Sequence, residues 1–167
     1  MSQDFFTETV LPIKNKLYRF ALSITANNVE AEDVVQEVLV KIWQKKQDWD
    51  KVSNMEAWAM RMTRNLSIDK LRSKHKKVVE LDISYNGSDN HTPEKIVQSK
   101  DTFDHIKKLM AELPAKQRAA MQLRDIEGLS YKEISEALEI PLSQVKIYLF
   151  RARTAIRKKL IKSSLYE

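Results

Sequence analysis

An all-α fold, arranged as two small helical domains joined by a flexible linker, is what this sequence predicts, and three observations predict it. Glycine and proline are scarce, two and four in 167 residues, while strong helix formers abound. Apolar residues recur at steps of three and four through both halves, the period of a helix with one buried face. In the middle, "NGSDNHTP" breaks that period with polar residues and one of the two glycines, which marks residues 79–95 as connecting chain. Hydrophobic residues make up 43% of the sequence, enough for a packed core.

The elements follow in order. Phe6, Val10, Ile13, Leu17, Phe20 and Ile24 keep helical spacing, with Pro12 predicting a helix start or kink. Asn27-Asn28 supplies a cap for a second helix, whose inner face is Ala31, Val34, Val35, Val38, Leu39 and Ile42. Glu30, Glu32 and Asp33 fall in its first turns, where carboxylates suit the helix dipole. Ser53-Asn-Met-Glu56 reads as a capping box opening a third helix, with Trp58, Met62, Leu66 and Leu71 turned inward.

After the linker, Thr92-Pro93-Glu94 reads as a helix start. Ile106, Leu109, Met110 and Leu113 form the next stripe, ending before Pro114. A helix over 115–126 stops near Gly128, a C-cap glycine. Ser130-Tyr-Lys-Glu133 is a second capping box, for a short helix with Ile134, Ala137 and Leu138 inward. Pro141 ends it, and a last helix begins near Leu142 with Val145, Leu149, Ala152, Ile156 and Leu160 buried.

Composition narrows the function. There is no cysteine, so no disulfide or thiolate metal site. His75, His91 and His105 stand apart and read as surface residues, because zinc needs converging ligands. No glycine-rich phosphate loop occurs, and no cofactor is expected. No apolar run approaches the ~20 residues of a membrane span. The opening "MSQDFF" lacks the features of a secretory leader. The expectation is a cytoplasmic protein without direct membrane insertion. Net charge is +6, with +3 on residues 1–80, −1 on 81–100 and +4 on 101–167. A polyanionic partner fits, nucleic acid ahead of a membrane surface.

The stretch 130–160 is a helix, a tight turn and a second helix bearing six positive charges and no negative one. Such helix-turn-helix units place the second helix in the DNA major groove. Its outward residues are Ser143, Gln144, Lys146, Ile147, Tyr148, Phe150, Arg151 and Arg153. Gln and Arg pair with base edges, and apolar groups touch thymine methyls. Lys146, Arg157, Lys158 and Lys159 suit phosphates, with Ser130, Tyr131 and Lys132 near the backbone. Phe150 outside the buried seam, and no acidic partners at four-residue spacing, speak against a merely solvated helix.

Earlier, "AEDVVQEVLVKIW" (31–43) carries Asp33, Gln36 and Glu37 on one polar face. "AWAMRMTRNLSIDKLR" (57–72) lines up Arg61, Asn65, Asp69 and Arg72. These two motifs, followed by "LPAKQRAAMQLRDIEGLSYKEISEALEIPLSQVKIYLFRARTAIRKKL", resemble bacterial RNA polymerase sigma factors of the extracytoplasmic-function (ECF) group. The resemblance covers nearly the whole chain, and the order of the three motifs makes it specific. It implies an N-terminal domain over 1–78 that binds core polymerase and melts the −10 element. A linker over 79–100 and a −35-reading domain over 101–167 follow. By resemblance, Asp33, Gln36 and Glu37 dock on the clamp coiled coil of the largest polymerase subunit. Asn65 and Asp69 lie near −10 DNA. The loop 44–54 captures an unstacked base, with Trp49 as a wall. Lys146, Phe150 and Arg151 touch −35 DNA.

Relatives often have Gly-Thr where this chain has Ser143-Gln144, Ser at Ile147 and Arg at Tyr148, so promoter sequence is where this chain departs. The partners implied are core polymerase, promoter DNA both double-stranded and melted, and an anti-sigma factor. Two other readings remain at this stage: a self-sufficient dimeric DNA-binding regulator, and a magnesium-dependent hydrolase using Glu30, Glu32, Asp33 and Glu37.

Overall fold

The structure, a computed structural model, describes residues 2–81 and 102–165, with side chains over 2–76 and 102–163. Among the described residues every regular element is helical: α1 (Ser2–Phe5), α2 (Lys14–Thr25), α3 (Asn28–Gln44), α4 (Met55–Leu81), α5 (Thr102–Ala111), α6 (Ala115–Met121), α7 (Tyr131–Leu138) and α8 (Leu142–Leu165). Between α1 and α2 the chain passes through a wide π turn (Phe6–Val10) and a tight 3₁₀ turn (Leu11–Ile13). Pro12 explains the change of pitch, since it has no N–H to continue an α-helical ladder.

α2, α3 and α4 pack together as the first layer. Val10, Leu17, Phe20, Ala31, Val34, Val38 and Ile42 are fully buried there. The Asn27 side chain accepts from Glu30 N–H at 2.9 Å, the expected cap. α4 differs from its sequence reading in two ways. Asn54, not Ser53, is its cap, accepting from Ala57 N–H at 2.8 Å. Glu56 is thereby one position too early for the reciprocal bond and pairs with Lys16 instead, at 3.4 Å. The buried face consists of Ala57, Ala59, Met60, Thr63 and Ser67, while Trp58, Met62 and Leu66 sit half-buried on its flanks and Leu71 is exposed. Small residues let the α4 backbone approach both α2 and α3, so the large ones are displaced sideways.

α4 runs to Leu81, past the boundary expected at 79. From residue 82 the expected linker lies outside the described residues, as does the helix start at Thr92-Pro93-Glu94. In the second half, Met110, Leu113, Ile134, Ala137, Leu138, Val145, Leu149, Ala152 and Ile156 are buried as their spacing predicts, joined by Ala120, Leu123 and Leu129, while Ile106, Leu109 and Leu160 are half-buried against them. Gly128 takes φ +78°, the left-handed conformation of a C-cap glycine. Ser130 and Glu133 complete their capping box. α7 ends with Glu139 in the left-handed region, and Ser135 Oγ donates to Ile140 O at 2.6 Å.

The two halves touch. α4 packs along α7, and α2 meets α6. Residues of both halves join one buried apolar cluster.

Candidate functional site

Three surfaces carry the residues the sequence singles out. The first is α8. Val145, Leu149, Ala152 and Ile156 anchor one side on α5, α6 and α7, which fixes the opposite side toward solvent. Ser143, Gln144, Lys146, Ile147, Phe150 and Arg151 are all exposed on it, Phe150 at 71%. Tyr148 is half-buried against the core. Two of the expected phosphate or base contacts are otherwise engaged. Arg153 forms a two-bond pair with Asp125, at 2.6 and 3.1 Å, which raises its pKa further. Lys159 pairs with Glu112 at 2.8 Å. Their acidic partners come from the turns after α5 and α6, which four-residue spacing along α8 does not reveal. Ser130 is engaged as the α7 cap, and Tyr131 lies under the Arg124 guanidinium.

The second surface is α3. Asp33 and Gln36 are exposed and Glu37 is half-buried. Asp33 and Glu37 line a groove with Glu30, Leu66, Asp69, Lys70, Ser73 and Lys74. Gln36 belongs to the neighbouring groove, with Lys14, Tyr18, Glu32 and Leu39. α3 is therefore the ridge between two grooves, and −10 candidate Asp69 shares one of them with Asp33 and Glu37. Val29 and Val40 stand on the same ridge, 67% and 54% exposed. Val29, Asp33, Gln36 and Val40 follow steps of four, three and four, so they form one stripe. The sequence signal for the two valines was their failure to fit the buried face. Among the described residues no three His, Asp or Glu side chains are arranged to hold a metal ion.

The third surface is a cleft of about 790 Å³ between the loop 44–54 and α7. Lys45, Asp48, Lys51, Val52, Ser53, Asn54, Ala57, Trp58 and Arg61 line one wall. Ser135, Glu136, Glu139, Ile140 and Pro141 line the other. Trp49 does not line it. Its Nε1 donates to Ile42 O at 2.9 Å, and its ring packs with Phe5, Phe6 and Trp43. Trp58, read from sequence as core, is the indole on the cleft. Asn65 and Asp69 are exposed farther along α4, with Asn65 Oδ1 accepting from Arg64 at 3.1 Å.

Comparison with known proteins matches these surfaces to two family regions. Residues 10–77 match the family model "Sigma-70 region 2", and residues 104–156 match "Sigma-70, region 4". The chain is 32% identical to the ECF RNA polymerase sigma factor SigW of Bacillus subtilis, over 95% of this chain and 90% of that one. It is 35% identical to SigM of the same organism, over 86% and 87%. Its fold is similar to the sigma factor RpoE from Bartonella quintana, crystallised with the anti-sigma factor NepR. That match has a TM-score of 0.75 and 28% identity, over 95% and 97% of the two chains.

Proposed function

This chain belongs to the ECF RNA polymerase sigma factors, and we infer from that membership how its three surfaces divide the work of directing core polymerase to promoters and opening them. The α3 ridge docks on polymerase. Asp33, Gln36 and Glu37 supply polar contacts to the clamp coiled coil, and Val29 and Val40 supply apolar area. The loop 44–54 and α4 hold the opened −10 strand, with Asn65 and Asp69 beside it and Trp58 in place of Trp49 as the stacking wall. The exposed face of α8 reads −35 duplex in the major groove, from Ser143 to Arg151. Polymerase performs nucleotide transfer, so the factor contributes binding energy and no covalent chemistry. It works in the cytoplasm with the polymerase, and a protein inhibitor of the kind crystallised with RpoE is its expected regulator.

The observation that carries this reading is the order of region 2 and region 4 along one chain. The test supplies purified protein and core polymerase with a random-sequence promoter library and sequences transcript 5′ ends. Starts downstream of a shared two-part motif are expected. Absence of both a stable polymerase complex and defined starts overturns the reading. Tight binding to a palindromic duplex without polymerase favours the regulator instead.

A further inference from the structure

A pocket of about 250 Å³ lies on the seam between the two halves, apart from the α3 ridge, the α8 face and the 44–54 cleft. One wall is α2, with Arg19, Leu22 and Ala26. The other is α5 and α6, with Lys107, Met110, Ala111 and Arg118. Met110 is buried and Leu22 half-buried, so the inner surface is apolar. Lys107 and Ala111 are exposed and mark the mouth. Among the described residues no carboxylate lines this pocket.

Charge decides what fits it. Arg19 is already neutralised, since its guanidinium donates to the fully buried Glu127 side chain in three bonds of 2.6 to 3.2 Å. Lys107 and Arg118 meet no such carboxylate there. Lys107 Nζ sits over the Phe103 ring at 5.0 Å. Arg118 Nη1 donates to the carbonyls of Leu113 at 2.9 Å and Ala111 at 3.3 Å. Burial lowers the Arg118 pKa, as it does for a cation short of compensating charge. Against these two cations stand the carbonyl ends of α2 and α5, at Ala26 and Ala111. Each is equivalent to about half a negative charge, so the pocket keeps a surplus of about one positive charge. One carboxylate balances that surplus, and a doubly charged phosphate overshoots it. The apolar inner surface asks for an apolar body on the anion. Arg19 and Arg118 stand on opposite walls, and guanidinium faces stack on aromatic rings. The volume is just below the ~300–1,000 Å³ of drug-sized ligands, which suits one or two rings. We propose that this pocket binds a small aromatic monocarboxylate, its ring between α2 and α6 and its carboxylate toward Lys107 and Arg118. Such a ligand touches both halves at once, so it binds best when they are in contact and strengthens that contact.

Met110 reports the site. It is one of six methionines, whose labelled methyl groups are followed by NMR in the full chain. Titration with 1-naphthoate is expected to shift the Met110 methyl in a saturable way and leave Met60, buried in α4 outside the pocket, unmoved. No saturable shift at Met110 overturns the proposal. The neutral analogue 1-naphthylmethanol should bind about tenfold more weakly, the loss of a charge-assisted bond. Equal affinity for the two overturns the assignment of a carboxylate. Lys107→Glu, at an exposed position, should weaken naphthoate about tenfold and leave the alcohol unchanged. Equal weakening of both probes counts against Lys107 as the anion's partner. Ala111→Trp, also exposed, should fill the mouth and abolish binding of either probe, and unaltered binding places the ligand elsewhere.

Discussion

Phe150 shows how a single side chain separates stability from recognition. It is 71% exposed on α8, so its removal creates no cavity. Phe150→Ala is expected to change unfolding free energy by no more than about 0.5 kcal/mol. Binding to −35 duplex in the polymerase complex should fall about tenfold, the loss of one apolar base contact of about 1.4 kcal/mol. Paired denaturation and promoter-binding titrations check this, and a stability loss that matches the binding loss would place Phe150 in the fold instead. The identity of such residues was legible because an aromatic off the buried seam is visible in one helix's period. Residues whose partners lie far along the chain were not. Glu127 before Gly128 looks like loop charge, yet its partner Arg19 is 108 positions away. Sequence reading assigns Trp49 the stacking role and puts Trp58 in the core. The Trp49 Nε1 bond to Ile42 O and its aromatic packing on Phe5 and Trp43 turn it away from the cleft that Trp58 lines.

At the scale of elements, helical periods located nearly every helix, and local competition decided what they missed. Ser53 and Asn54 are adjacent and both able to cap. Asn54 prevailed, leaving Glu56 to Lys16. α3 was read for its buried face, and its outer stripe emerged only when Val29 and Val40 proved exposed. That stripe makes a direct prediction. Val40→Asp adds a charge to an apolar contact and should weaken core-polymerase binding at least tenfold in an anisotropy titration, with folding unchanged. Unaltered affinity would remove α3 from the docking surface.

α7 makes another prediction, through acid. Burial works to raise the Glu133 pKa, but hydrogen bonds from Ser130 and Asn54 and the charge of Lys16 outweigh it and hold the carboxyl below its ordinary 4.5. A depressed carboxylate contributes stability above the unfolded value and loses it as pH falls through the lowered one. Lys16 of α2, Arg61 and Arg64 of α4, and Lys45 and Lys51 of the loop are the cations on the facing elements, with Asp48 and Glu56 the acids among them. The α7–α4 contact should therefore hold from neutrality down to about pH 4.5 and weaken below it. In Glu133→Gln, the part of that acid response due to this carboxylate should vanish from a pH series of fluorescence transfer between labels on cysteines introduced in the two halves.

The whole molecule joins two kinds of electrostatics at one interface. The pairs Asn54–Glu133 and Arg64–Glu139 lie at the edge of an open cleft, while Arg19–Glu127 is closed over on the carboxylate side. Salt distinguishes them. Screening shortens from about 10 Å at 0.1 M to about 3 Å at 1 M, and acts on exposed charges far more than on buried ones. With Arg19–Glu127 intact, the contact between the two halves should persist through that range, with a radius of gyration near the ~15 Å of a compact chain this long. In Glu127→Gln, closure rests on the exposed pairs and should become salt-sensitive. Its radius of gyration should rise by several ångströms as sodium chloride goes from 0.1 to 1 M, and transfer efficiency between fluorophores on introduced cysteines in the two halves should fall. Identical salt responses in parent and variant would mean that apolar packing between α4 and α7, rather than the buried carboxylate, governs closure.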